Sequence, residues 1–414
     1  MEKSPQELYE EREKRFMDAV QLKVPDRVPI IPCLDFFPAI YAGITFEEAM
    51  YDYDKAYMAW KKTALDLDAD MYWNSYISYP GKGLEVLGYN LLKWPGKGLS
   101  ADRMYQFVEN EYMKASEYDE FLADPTDFMI RTYYPRVCSA MAGLQKLPPI
   151  HGGYWQGIFG LVGSFGDPEV QESLKALMEA GNIFAKWFEF LGNFNKEMEA
   201  LGYPNALGAA TYAPYDIIGD TFRGTRGVML DMYKNPEKLL AAVDMVTPWA
   251  LEAGINGAKA SGNPRVWIWL HKGCDGFMND EQFKTFYWPG LKKVIMGLIE
   301  ADLVPYVYIE GDYTCRLETI ADVPKGKVVY HFEQVDIYKA KEILGGVACI
   351  SGNVPNALLC TGTPEEVKEY CKKLIDVLGK DGGYIMDSSA CIDEARPENL
   401  KAMIDFTKEY GVYR

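Results

Sequence analysis

The chain has 414 residues, with 60 acidic and 43 basic side chains and a formal charge of −17. That balance argues against nucleic acid, anionic membranes and polyanionic substrates as partners unless a local basic pocket intervenes. Eight cysteines stand singly without a CxxC pair, so free thiols and a few metal ligands are expected rather than a disulfide framework, and three histidines exclude a His-rich metal centre. No apolar run is long enough to span a bilayer, and the opening MEKSPQELYEEREKRF is too charged for a signal peptide. A cytoplasmic protein with no membrane partner is expected.

Pro5 to Gln21 alternates charged and apolar residues at helical spacing behind a Ser4-Pro5 start. Asp26 to Pro32, DRVPIIP, reads as a turn feeding a short strand at Val28–Pro32. Thr45 to Asp66 is helical, with Thr45, Glu47 and Glu48 suited to an N-terminus. PGKGL occurs at Pro80 and again at Pro95, and both copies read as loop turns. From Pro148 onward a short apolar run, a polar or glycine-rich loop and an amphipathic helix repeat in turn. The runs are Pro148–His151, Ala206–Tyr212, Val266–His271, Pro305–Glu310, Val328–Phe332, Val347–Ser351 and Tyr384–Asp387. The helices between them include Asp167–Gly192, Asn235–Ala258, Asp280–Glu300, Ile337–Leu344, Pro364–Leu378 and Pro397–Tyr410. Strands alternating with helices predict a parallel sheet. With Val28–Pro32 the runs number eight, which predicts an α/β fold of the (β/α)8 TIM barrel type. One domain over 1–414, with 1–27 as an N-terminal helical extension, is the simplest partition. No GxGxxG follows an early strand, and no P-loop occurs.

Chemistry in such barrels lies at the C-terminal strand ends. His151-Gly152-Gly153-Tyr154-Trp155 follows one run, His271-Lys272-Gly273-Cys274-Asp275 another, and Glu310-Gly311-Asp312 a third. His331-Phe332-Glu333, Ser351-Gly352-Asn353 and Met386-Asp387-Ser388-Ser389-Ala390-Cys391 follow three more. Zinc takes Cys, His and carboxylate ligands and keeps a position open for substrate in catalytic sites. His271, Glu310 and Cys391 offer one ligand of each type from three strand ends. Each also has a plainer reading. Cys391 packs as a small hydrophobe, His271 serves as a wall residue or a general acid/base, and strand-end carboxylates cap loops. Asp312 is a runner-up ligand, or orients one. Tyr154 and Trp155 form a stacking wall or plain core, and His331 lines the site or caps its strand.

DRVPI, the tract GFMNDEQFKTFYWPGLKKVI from Gly276 to Ile295, SGNVP at Ser351 and GGYIMDSSACIDEARPENLKAM from Gly382 to Met403 resemble the uroporphyrinogen decarboxylase superfamily. The likeness spans nearly the whole chain and implies a (β/α)8 barrel. The decarboxylase branch carries an arginine-bearing signature after its first strand, of the form RQAGRY. Here that stretch is PCLDFFPAIYAG, which has no arginine and adds Asp35, so uroporphyrinogen is not the expected substrate. The cobalamin-dependent methyltransferase branch uses zinc at the barrel mouth and exchanges a methyl group with a separate corrinoid protein. Where its thiol-methylating members carry His-x-Cys, this chain reads Tyr308-Ile309-Glu310, while the later Cys is kept as Cys391. An oxygen ligand at Glu310 suits an oxygen substrate.

The chain is most similar to the methyltransferase component of anaerobic O-demethylases, which moves a methyl group from an aryl methyl ether to Co(I). That resemblance implies a Zn2+ site on Glu310, Cys391 and His271, and Asp312 as an alternative catalytic residue. It also implies a methoxyaromatic substrate, for which Tyr154, Trp155, Tyr308 and His331 are the candidate pocket residues, with the corrinoid (cobalamin) of a partner protein as methyl acceptor. Homodimers are common in the superfamily, so a homodimer is the family-level expectation. The rival readings are a metal-free decarboxylase or lyase acting on a small acid, and a silent barrel that binds without turnover.

Overall fold

A computed structural model describes residues 3–413. The helix Pro5–Val20 starts from a reciprocal cap in which Ser4 and Glu7 satisfy each other's backbone N–H groups. A small sheet of β1 (Leu92–Pro95), β2 (Gly98–Leu99) and β3 (Gln106–Phe107) lies in the first third of the chain. The principal sheet is parallel and runs in chain order through β4 (Ala209–Tyr212), β5 (Arg265–Leu270), β6 (Val304–Ile309), β7 (Val329–Phe332), β8 (Cys349–Ser351) and β9 (Tyr384–Ile385). Short extended segments close it into a ring. Ile30 pairs in parallel with Met386, Leu34 with Ile392, and Tyr72 with Asn205, the residue that leads into β4. Asp70 N–H donates to the Ile30 carbonyl at 3.0 Å, joining the two early segments. Eight parallel positions thus form the (β/α)8 barrel.

Seven of the expected strand runs occupy barrel positions, and the eighth needs correction. Pro148–His151 is not a strand. Pro148 and Pro149 have no N–H to give a ladder, and the chain winds into a short 3₁₀ turn at Ile150–Gly153 outside the barrel. Its place is taken by the segment through Tyr72, whose apolar Met71-Tyr72-Trp73 is hidden in sequence behind a helix and two aspartates. The expected helix Thr45–Asp66 is two helices, Phe46–Tyr51 and Tyr53–Leu67, because Asp52 leaves the helical region to cap the second. The PGKGL at Pro95 is a turn, whereas the copy at Pro80 opens the helix Gly81–Leu87.

Aromatic rings fill the barrel in layers. Trp267 and Tyr306 stack at 3.8 Å, with Trp73 edge-on to Trp267 at 4.4 Å. One layer nearer the mouth, Tyr308 and His331 stack at 4.4 Å with planes 6° apart. Two polar ends of the lower layer are bonded internally, Trp267 to the Ala206 carbonyl at 2.9 Å and Tyr306 to Ser351 at 2.8 Å. At the other end the N-terminal helix plugs the barrel: buried Asp70 accepts from Arg15, Arg27 and the Ile30 N–H, and Arg265 pairs with Glu13 at 2.8 Å.

Candidate active site

Three strand ends build a compact polar centre at the mouth. After β4 the chain turns into helical segments, Pro214–Asp216 and Ile217–Arg223, that bring Asp216 and Asp220 inward. After β5 come His271 and Lys272, and after β6 comes Glu310. Asp216 accepts the backbone N–H groups of His271 and Lys272 at 2.8 and 3.0 Å, and the Tyr287 hydroxyl at 2.5 Å. It therefore holds the start of the β5 loop in place. His271 Nδ1 lies 2.6 Å from Asp220 Oδ2, and its Nε2 lies 3.9 Å from Glu310 Oε1. Lys272 pairs with the other Asp220 oxygen.

The charges act strongly on one another. Burial pushes Asp216 up to about 6, with the Asp220 charge adding to it. Burial also opposes ionisation of Asp220, but the His271 hydrogen bond and Lys272 hold that carboxyl below its usual range. For His271, burial favours the neutral ring. The Asp220 hydrogen bond and the charge of Glu310 outweigh it and raise the imidazole to about 9. Glu310 is pushed up by its seat in the mouth, pulled back by His271, and pushed again by Glu333 and Asp220.

The Glu310-Gly311-Asp312 triplet has a structural division of labour. Gly311 takes a left-handed φ of 79°, and a Cβ there would stand 3.0 Å from Cys274 Cβ. Its N–H donates to Glu333 at 2.6 Å. The turn leaves Glu310 facing His271 while Asp312 points away to cap Thr314 through its N–H and hydroxyl at 2.8 and 2.6 Å. Asp312 is thus a loop cap.

Cys391 belongs to a neighbouring group. Its N–H donates to the Tyr308 hydroxyl at 2.7 Å, and the Cys33 thiol is a neighbour that favours its ionised form. Burial and the charges of Asp35 and Asp387 more than offset that influence, and the Cys391 thiol stays above its usual value. Among the described residues no three His, Cys, Asp or Glu side chains converge as a metal ligand set. His271 and Glu310 do fit a divalent cation as two of its ligands, because Asp220 orients the imidazole from behind, the usual support of a metal-bound histidine. Cys391 does not converge with them as a third ligand.

Of the residues expected to hold a substrate ring, Tyr308 and His331 lie buried beneath the mouth. His331 is held between Asp387, Ser351 and the Ser389 carbonyl. Tyr154 and Trp155 sit on the exposed excursion after Pro149, 80% and 84% exposed, because the run before them is no barrel strand. His151 is exposed with them and meets Asp124 at 3.3 Å. Other phenol rings stand nearer the strand ends. Tyr212 lies edge-on to His271 at 5.8 Å, and Tyr79 lies 6.5 Å from Tyr76 and 5.3 Å from Tyr105. Burial raises the Tyr212 phenol, and the neighbouring groups that add to this are Tyr79, Tyr76, Asp220 and Glu310. Asp216 and Asp220 carried a readable signal, two aspartates four apart directly after a strand run. The tyrosines carried none.

A closed parallel barrel with its polar residues gathered at the C-terminal mouth is the class of scaffold that carries enzyme sites. The chain belongs to the uroporphyrinogen decarboxylase (URO-D) family, which it matches over residues 168–410. It is 23% identical over 254 residues to a uroporphyrinogen decarboxylase of Chlorobium luteolum, covering 58% of this chain and 67% of that one. Over a shorter stretch of 130 residues it is 28% identical to the methylcobamide:CoM methyltransferase MtbA of Methanosarcina acetivorans, 31% of this chain and 37% of that one. The chain thus spans about two thirds of the first of these relatives and little more than a third of the second. Its fold is shared with a methyltransferase from Methanosarcina mazei at a TM-score of 0.63 and 14% identity, over 96% of this chain and 98% of that one. No helix among the described residues is long and apolar enough to cross a membrane.

Proposed function

We propose that this chain is a corrinoid-dependent methyltransferase of the O-demethylase type, which holds an aryl methyl ether in the barrel mouth and delivers its methyl group to Co(I) of a separate corrinoid protein. The observation that carries the reading is the character of the mouth. Carboxylates from the ends of β4 and β6, Asp220 and Glu310, flank the His271 imidazole, Glu333 from the end of β7 accepts the Gly311 N–H next to Glu310, and the Tyr212 phenol stands edge-on to the imidazole. A polycarboxylate would be repelled there, since Lys272 is taken by Asp220 and Arg316 by Asp275 and Asp280. A neutral methoxyaromatic meets no such repulsion and packs on the rings.

Phenolate is a poor leaving group, so charge developing on the ether oxygen must be stabilised. Asp220 fixes the His271 ring and keeps it protonated, which leaves Nε2–H directed to the side of Glu310. As the methyl carbon passes to cobalt, the C–O electron pair stays on oxygen and the His271 proton neutralises it. Zinc held by Glu310 and His271 would supply the same stabilisation as a Lewis acid in place of that proton. Asp216 positions His271 through the backbone, and Tyr212 with Tyr79 orients the ring.

The test uses Co(I) cobalamin as acceptor and a panel of methoxybenzenes, with methyl-cobalt formation read by absorbance and metal content measured alongside. Wild type forms methyl-cobalt, and Glu310→Ala loses about 100-fold or more in rate. Carbon dioxide release from a small acid without any acceptor would replace this reading with a decarboxylase.

A further inference from the structure

We propose that the uncharged arm from Pro148 to Gly166 is the self-association surface of this protein, each copy's arm seating in the apolar groove at the root of the other copy's arm. The arm is an anomaly in an acidic chain, for no Asp, Glu, Lys or Arg occurs between Lys146 and Asp167. Its helix, Gly157–Ser164, has no buried residue at all. Trp155 is 84% exposed, Phe159 75% and Val162 61%. A Cβ added at Gly160 or Gly163 would meet nothing within 4 Å, so that side of the helix is open, and its close neighbours, Gly152 and Gly153, belong to the arm itself. A surface helix ordinarily turns a polar face to water. This one has none to turn, and contiguous apolar surface of this extent marks an interaction site.

The occupant is a second copy for three reasons. The groove, a cavity of about 730 Å³, is lined by Tyr133, Val137, Met141 and Leu144 and, at its rim, by Ile150 and Phe165 from the two ends of the arm. Arm and groove are therefore neighbours on one chain, and a two-fold axis between them makes both contacts at once. The area is also sufficient. At ~200 Å² for a large side chain, the exposed fractions of the arm's Ile, Tyr, Trp, Phe and Val residues leave roughly 900 Å² per copy, against the ~800 Å² each partner gives a stable interface. Finally, two chains of charge −17 repel in most orientations, and the arm is the stretch where they do not.

Sedimentation velocity over a concentration series reads the association directly. Wild type is expected at twice the 46.9 kDa chain mass. Trp155→Glu combined with Phe159→Glu is expected to weaken association at least tenfold, with an unchanged circular dichroism spectrum because both side chains are exposed. A photo-crosslinker at position 155, in a mixture of isotope-labelled and unlabelled chains, is expected to join the arm of one copy to the Met141–Leu144 segment of the other. A monomeric wild type at tens of micromolar, a dimer untouched by the two glutamates, or crosslinks only within one chain would each overturn the proposal. The last would mean that the arm folds onto its own groove.

Discussion

His271 is where the site can be read most directly, because its two ring nitrogens face different partners. Asp220 holds Nδ1 and Glu310 stands beyond Nε2, and together they raise the imidazole from the ordinary 6.5 to about 9. The unfolded chain gives up this proton near pH 6.5, while the folded chain keeps it to about pH 9. The stabilisation is fully present below about pH 6.5 and is lost as pH rises through 9. In chelator-treated protein the loss across that window is expected to be roughly 1–3 kcal/mol, allowing for a partly exposed ring. Asp220→Asn should flatten the dependence. Urea unfolding between pH 6 and 10 measures it, and equal slopes for the two proteins would count against the His271–Asp220 pair as its source.

The N-terminal helix Pro5–Val20 packs on the core through Phe16, Ala19 and Val20, and Asp70 is the polar junction between it and the barrel strands. Arg15 and Asp70 are both nearly inaccessible, and Arg27 and the Ile30 N–H converge on the same carboxylate. Removing one partner of a buried ionic cluster strands the others in a place water does not reach. Asp70→Ala is therefore expected to cost about 3–5 kcal/mol in urea unfolding. Asp66→Ala, which breaks a half-exposed pair with Lys62, should cost no more than about 1 kcal/mol. A comparable loss in both would show that the helix is held by packing alone. The elements themselves were legible where helical spacing met a clear cap. Ile337–Leu344 and Pro397–Tyr410 match the expected bounds at both ends. The second barrel position was not legible, because Met71-Tyr72-Trp73 is too short to show a period and adjoins a helix of similar composition.

Across the whole molecule the charge of −17 sets the long-range field. Self-repulsion opposes the compact state and is screened beyond about 8 Å at 0.15 M salt. Raising the ionic strength from a few millimolar to that level is expected to raise Tm in scanning calorimetry and to strengthen self-association. A Tm that falls with salt would mean that attractive ion pairs outweigh the net repulsion.

By itself the sequence determined the barrel, since seven of its strands are short apolar runs between amphipathic helices and such runs bury only in a parallel sheet covered on its outside. It also singled out His271 and Glu310, polar residues placed where the apolar runs stop. The tertiary structure decided which strand-end residues meet. Glu310 and Asp312 are two positions apart, yet the left-handed turn at Gly311 sends one to His271 and the other to Thr314. Cys391 and Cys33 lie at opposite ends of the chain, and only closure of the ring, with Leu34 paired to Ile392 and the Ile392 N–H donating to the Cys33 carbonyl, makes their segments neighbours. The phenol rings and the exposed arm were likewise settled in three dimensions. A tyrosine or a glycine-rich apolar stretch reads alike in sequence whether it ends in a core, in a pocket or in water, and only the surroundings supplied by distant segments distinguish them.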